Sequence, residues 1–152
     1  MESFPSTGEV RHLFPSANFR YLGNRLNVLA IIEPFLDRAQ AVLQAKRKGE
    51  ACEAYQDTKV FEDVASYHGI MPHAVFLGAP PAARGTTLNG SNLEYLAAQK
   101  FLGSALFVEK PLSSHRPEYV MPLVPYFEEG KVLVAVGYML RYLKGTLHLT
   151  HC

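Results

Sequence analysis

The chain has 152 residues, 48% of them hydrophobic and 19% charged, a size and balance that suit a globular domain and exclude a disordered chain. Fifteen basic and 14 acidic residues leave a formal charge of +1, which provides no basic field for nucleic acid and no polybasic anchor for a membrane. No apolar run approaches the roughly 18 residues of a membrane span, and the opening "MESFPSTGEV" lacks the basic and apolar regions of a secretory signal.

In chain order, residues 1–25 read as an irregular or helical segment. Residues 26–33, "LNVLAIIE", form an aliphatic, β-branched run of the kind buried on both faces of a sheet. Asp37 to Lys48 follows with Ala39, Val42, Leu43 and Ala45 at helical spacing and basic residues in its last turn. "CEAYQ", 52–56, reads as a short edge strand, and Lys59 to His68 as a short helix with Phe61, Val64, Ala65 and His68 on one side.

A second apolar strand, "HAVFLGAPP", breaks at Gly78 and two prolines. Leu88 to Leu102 is predicted helical, with Leu93, Leu96, Ala97, Lys100 and Phe101 on its apolar side. "ALFVEKP" is a third strand, stopped by Pro111. Ser113 or Ser114 is the expected cap of the next helix, with Pro117 and Glu118 in its first turn. Pro122 and Pro125 should kink or shorten that helix, because each removes a backbone donor and clashes with the preceding turn. "KVLVAVGYML" is the fourth strand. Two cysteines, Cys52 in a polar connection and Cys152 at the last position, suit a reduced protein better than a disulfide scaffold, so the cytoplasm is the expected location.

Strand and helix alternate, with crossovers long enough for parallel pairing, which predicts an α/β fold: an open parallel sheet with helices on both faces. Such sheets bind ligands outside the carboxyl ends of their strands. Those ends carry Glu33, Ala79-Pro80-Pro81, Glu109-Lys110-Pro111 and Gly137-Tyr138, expected on one rim.

An acid at Glu33 suits hydrogen bonds from the ribose hydroxyls of a dinucleotide and repels a 2′-phosphate; a solvated acid before Pro34 is the simpler alternative. "GAPP", Gly78 to Pro81, is a sharp strand exit where backbone can approach a ligand, or a plain turn. Pro111 fixes the backbone beside Lys110. A lysine partly withdrawn from water can do acid/base work or polarise a substrate oxygen. His148, His151 and Cys152 lack a fourth ligand and do not make a metal site, so no metal is expected.

"LAIIEPFLDRAQ", "AVFLGAPP", "LFVEKPLS" and "VLVAVGYMLRY" occur in an order and spacing that resembles the N-terminal Rossmann domain of the Gfo/Idh/MocA oxidoreductases, over about residues 26–143. The resemblance implies a Rossmann-like dinucleotide-binding domain there, with 144–152 as a tail. It also implies NAD(P)-dependent hydride transfer to or from a hydroxyl or carbonyl of a small sugar-like or polyol-like molecule. By position, Glu33 resembles the ribose-binding acid, which favours NAD over NADP. Ala79 and Pro80 resemble the loop along the cofactor, and Glu109, Lys110 and Pro111 the segment in which the lysine serves both cofactor and substrate. Lys110 is thereby the candidate catalytic residue, with Tyr138 and Arg141 on the substrate side.

The departures from the family pattern are physical. The usual first strand and G-x-G-x-x-G turn, whose backbone holds the pyrophosphate, have no counterpart beyond Gly8. The family's Asn and His after "TP" correspond to Pro81 and Arg84, and the Asn-Arg of "GFNRR" to Met139-Leu140. The C-terminal substrate domain is also missing from the expected layout. Loss of the central strand, between the "LAIIE" and "AVFLGAP" strands, predicts an incomplete sheet with two open edges and weakened cofactor binding. The alternative to an enzyme is a non-catalytic binding or regulatory relative, or a degenerate fragment. An exposed sheet edge or face would then serve an oligomer or protein partner.

Overall fold

The computed structural model describes residues 25–50 and 52–138. Expectations for residues 1–24 (including Gly8), for Met139, Leu140 and Arg141, and for the tail with His148, His151 and Cys152 lie outside the described residues. The chain divides into two compact units, Met1–Glu62 and Asp63–Cys152. The fold is α/β, built on two small open parallel sheets, as expected for an incomplete Rossmann-like domain. No helix among the described residues is long and apolar enough to cross a membrane.

In the first unit, β1 (Ala30–Ile32) pairs in parallel with β2 (Lys59–Phe61), Ile31 opposite Val60. Helix α1 (Leu36–Arg47) makes the crossover and lies against both strands. Its buried residues are Ala39 and Leu43, four apart on one face. Val28, Leu43, Ala54 and Tyr55 form the core, with Leu26, Ile31 and Val60 packed against them.

Two expectations are corrected here. "CEAYQ" is not a strand but a 3-10 turn, Cys52–Tyr55. Cys52 N–H donates to Gly49 O and Gln56 N–H to Glu53 O, with a single long-range bond from Val28 N–H to Ala54 O at 2.8 Å, and consecutive Ala54 and Tyr55 are both buried, which strand alternation would forbid on a one-sided sheet. Lys59–His68 is not a helix: its first three residues are β2. The backbone then turns where the Asp63 carboxylate accepts Ser66 N–H at 2.6 Å and Ser66 Oγ accepts Asp63 N–H at 3.2 Å. Of the expected apolar side, Phe61 and Val64 are buried while Ala65 and His68 are exposed.

In the second unit, β3 (Ala74–Leu77), β4 (Ala105–Val108) and β5 (Val134–Val136) form a parallel sheet in the order β3-β4-β5. Leu77, Leu106 and Val108 project to the buried side, and α2 (Leu93–Lys100) lies against β3 and β4. Burying a Leu or Val of this kind stabilises by about 1.5–3 kcal/mol. On the opposite side Phe76 pairs with Phe107 at 5.5 Å between ring centroids, and Phe76 and Ala135 stay exposed.

Helix α2 is shorter than predicted and turned. Gly90 has φ +82°, a conformation that does not continue a helix, and the segment before Leu93 is turn. Glu94, Ala97 and Ala98 are buried, while Leu96 and Lys100 are exposed. The last helical segment breaks as expected into α3 (Pro117–Val120) and α4 (Leu123–Glu129). Pro122 stands at the junction, and Pro125 sits in the first turn of α4, where its missing N–H costs nothing. The predicted serine cap is replaced by Arg116 at the cap position, because Ser113 is engaged elsewhere. Tyr95 of α2 meets Tyr126 of α4 at 4.5 Å between ring centroids.

Candidate functional site

Because β3, β4 and β5 run in parallel, their carboxyl ends lie on the same side and deliver Gly78–Pro81, Glu109–Pro111 and Gly137–Tyr138 as neighbouring exits. The ladder continues past the strands: Glu109 N–H donates to Leu77 O at 3.0 Å and Gly137 N–H to Val108 O at 2.8 Å. A Cβ at Gly137 would stand 3.1 Å from the Phe107 ring and 3.5 Å from Glu109 Oε2, so the Glu109 carboxylate rests against the Gly137 backbone. Tyr138 is exposed beside it. Three of the four strand ends expected on one rim are thus brought together; the fourth, Glu33, ends a strand of the separate two-stranded sheet. Lys110 is exposed and makes no hydrogen bond or ion pair among the described residues, and its peptide bond to Pro111 is cis. The picture of a lysine partly withdrawn from water is corrected accordingly; what is held is its backbone.

The holding group is Arg84, only 1% exposed. Its Nε donates to Ala79 O at 2.6 Å, and Nη1 donates to Glu109 O and, at 3.4 Å, to Leu112 O. One guanidinium therefore ties the exit of β3 to both sides of Lys110-Pro111. Burial pushes the guanidinium below the ordinary arginine range, and the charges of Glu94 and Glu109 oppose that shift. Next along the chain, Gly85 has φ +84°, and an added Cβ would overlap Ser113 Cβ and stand 2.8 Å from Leu112 O. Glycine is required there both for its backbone and for the close approach. Ser113 Oγ donates to Arg84 O at 3.1 Å and accepts His115 N–H at 3.1 Å.

Beneath this pair of loops Glu94 is fully buried. Its Oε2 accepts Gly85 N–H at 2.7 Å, while Oε1 has no hydrogen-bond partner among the described residues. Burial raises its carboxyl above the usual range; the Gly85 N–H and the Arg84 charge act against that. Thr86, also buried, accepts Leu88 N–H and donates to Ser91 O, and Ser91 Oγ donates to Ala82 O at 2.7 Å, closing the 82–91 loop on itself. Sequence reasoning set Arg84 aside as a departure and missed Glu94. The signal was present: Glu94, Ala97, Ala98 and Phe101 fall at i, i+3, i+4 and i+7, one helical face with a carboxylate at its head.

Glu33 belongs to the first unit. Its N–H extends the β1 ladder to Phe61 O at 2.9 Å, and its half-buried carboxylate accepts Phe35 N–H at 3.3 Å through Oε1. Arg38 stands 4.0 Å from the same oxygen. The acid is at a strand's carboxyl end, as predicted, with Oε1 oriented by the start of α1.

The two residues expected to serve a nicotinamide dinucleotide, Lys110 and Glu33, belong to separate units. Lys110 offers an unpaired ammonium on a tied loop, and Glu33 a carboxylate at a strand exit. No glycine turn opening a helix is present among the described residues to take the pyrophosphate. No group of three or more His, Cys, Asp or Glu among the described residues is arranged to hold a metal.

The chain is similar to two uncharacterized proteins of Schizosaccharomyces pombe. It is 33% identical to one over 132 residues, covering 82% of this chain and 34% of that protein. To the other it is 33% identical over 130 residues, covering 81% and 32%. The chain thus spans about a third of the length of the curated relatives it matches. No family model matches the sequence, and no solved structure matches it.

Proposed function

We propose that this chain is a nicotinamide-nucleotide-binding portion of an oxidoreductase of the Gfo/Idh/MocA type, acting on a hydroxyl or carbonyl of a small molecule. The observation that carries this reading is the convergence of the β3, β4 and β5 exits, with Lys110 exposed on a loop fixed from beneath by Arg84. When bound, the nicotinamide supplies the acceptor or donor of hydride. The Lys110 ammonium polarises the substrate oxygen and holds or passes a proton at Nζ. Glu33 accepts hydrogen bonds from ribose hydroxyls and disfavours a 2′-phosphate, so NAD is preferred. In relatives about three times as long, the remaining two thirds leaves room for a substrate domain. The charge balance and the placement of the two cysteines, far apart in the sequence, support a cytoplasmic location.

Titration of the purified chain with NADH and with NADPH, read by nicotinamide fluorescence, tests this. Saturable binding is expected, tighter for NADH, with Lys110→Ala weakening it by about tenfold, or ~1.4 kcal/mol. No fluorescence change up to millimolar nucleotide would sink the reading.

A second reading, a non-catalytic binding or regulatory relative, is favoured by the exposed Phe76 and Ala135 on one side of the second sheet. Light scattering tests it: a strictly monomeric protein that captures no partner argues against it.

A further inference from the structure

We propose that Arg84 is the positioning residue of the Lys110 loop. It fixes where the lysine stands through three backbone carbonyls and touches neither substrate nor cofactor. Its consequence for nucleotide affinity rests on the reading above; its consequence for Lys110 itself does not.

The geometry carries this in three steps. First, Glu109 O and Leu112 O flank Lys110-Pro111, and Ala79 O belongs to the neighbouring exit, so the three acceptors of one guanidinium bracket the candidate site. A planar fork can bridge diverging acceptors that a single ammonium cannot reach together. Second, the guanidinium is itself fixed. Arg84 is buried, its own carbonyl accepts Ser113 Oγ–H, and the next N–H, Gly85, is held by the buried Glu94 carboxylate. The clamp is therefore anchored on α2, and the position of Lys110 is referred to the core of the unit through Glu94, Gly85 and Arg84. Third, the Lys110 side chain is exposed and has no hydrogen bond or ion pair among the described residues, so what Arg84 fixes is the backbone from which that side chain projects.

The decisive variant is Arg84→Lys, which keeps charge and length but loses the fork; Arg84→Ala, offered guanidinium in solution, is its complement. Lysine side chains are methylated with 13C, and the Lys110 signal, one of seven lysines, is assigned through Lys110→Arg. We expect Arg84→Lys to shift or broaden the Lys110 signal while leaving that of Lys46, in the other unit, unchanged, and to weaken NADH binding about tenfold. Millimolar guanidinium should restore the Lys110 signal in Arg84→Ala, and equal sodium chloride should not. A variant with a lowered unfolding temperature but a wild-type Lys110 signal and wild-type NADH affinity would overturn the proposal, reducing Arg84 to a structural tie. If wild-type protein binds no NADH, the nucleotide reading fails and the Lys110 signal alone decides the positioning role.

Discussion

Each unit contains an arginine that donates to three backbone carbonyls, and the two do different work. In the first unit Arg47, the last residue of α1, donates from Nε to Tyr55 O at 3.0 Å and from Nη2 to Gln56 O at 2.7 Å and Thr58 O at 3.1 Å. In the second unit Arg84 reaches Ala79 O, Glu109 O and Leu112 O. Arg47 is exposed and its acceptors lie 8 to 11 residues away; Arg84 is buried and two of its acceptors lie 25 and 28 residues away. Water can replace Arg47. It cannot readily replace Arg84, whose removal would leave the Ala79, Glu109 and Leu112 carbonyls without their donor in a region of low dielectric. The same donor pattern thus closes a local connection in one place and joins two strand-end loops in the other.

The largest effect is expected where that contrast is removed. Arg84→Met should destabilise the chain by about 3–5 kcal/mol, measured by urea unfolding, because a buried charged donor is lost with its acceptors left behind. Gly85→Ala should cost about 2–4 kcal/mol in the same measurement, combining a left-handed backbone with overlap against Ser113 and Leu112. Arg47→Met should cost about 0.5–1.5 kcal/mol, since its bonds are traded for bonds to water. An Arg47→Met loss equal to that of Arg84→Met would erase the distinction between the two units.

The last test concerns pH. Burial raises the Glu94 carboxyl, so the folded state favours its protonated form. The stability it contributes is full below the unfolded carboxyl value and declines as pH rises through the higher folded value. Glu94→Gln should lose that segment of the stability–pH curve, while keeping an acceptor for Gly85 N–H and gaining a donor at the unpartnered position. Parallel curves for wild type and Glu94→Gln across the acid range would show that Glu94 titrates alike in both states. Asp63, held low by Ser66 hydrogen bonds, has the opposite sign: its contribution is present above the unfolded value and is lost as pH falls through the folded one.

Much of the fold was legible because strand composition is a local property. The aliphatic runs at β1, β3, β4 and β5, the break at Pro122 and the strand ends at Glu33, Gly78, Glu109 and Gly137 all follow from residue type and near neighbours. The errors fell where tertiary contacts override local pattern. Lys59–Phe61 became a strand because β1 offered it a parallel partner, and "CEAYQ" a turn because Ala54 and Tyr55 are both drawn into the core beside Leu43. Helix α2 rotated because Glu94 is required inward, toward Gly85.

The sequence by itself determined the α/β class, the parallel crossovers and the position of Lys110 at the end of an apolar strand, because side-chain shape and periodicity act within a few residues. Only the tertiary structure decided that Lys110 is exposed and that its loop is held by Arg84 and, through Gly85, by Glu94. Those contacts join residues far apart in the chain, and the burial that makes a charged hydrogen bond strong exists only once the sheet and its loops have closed around it.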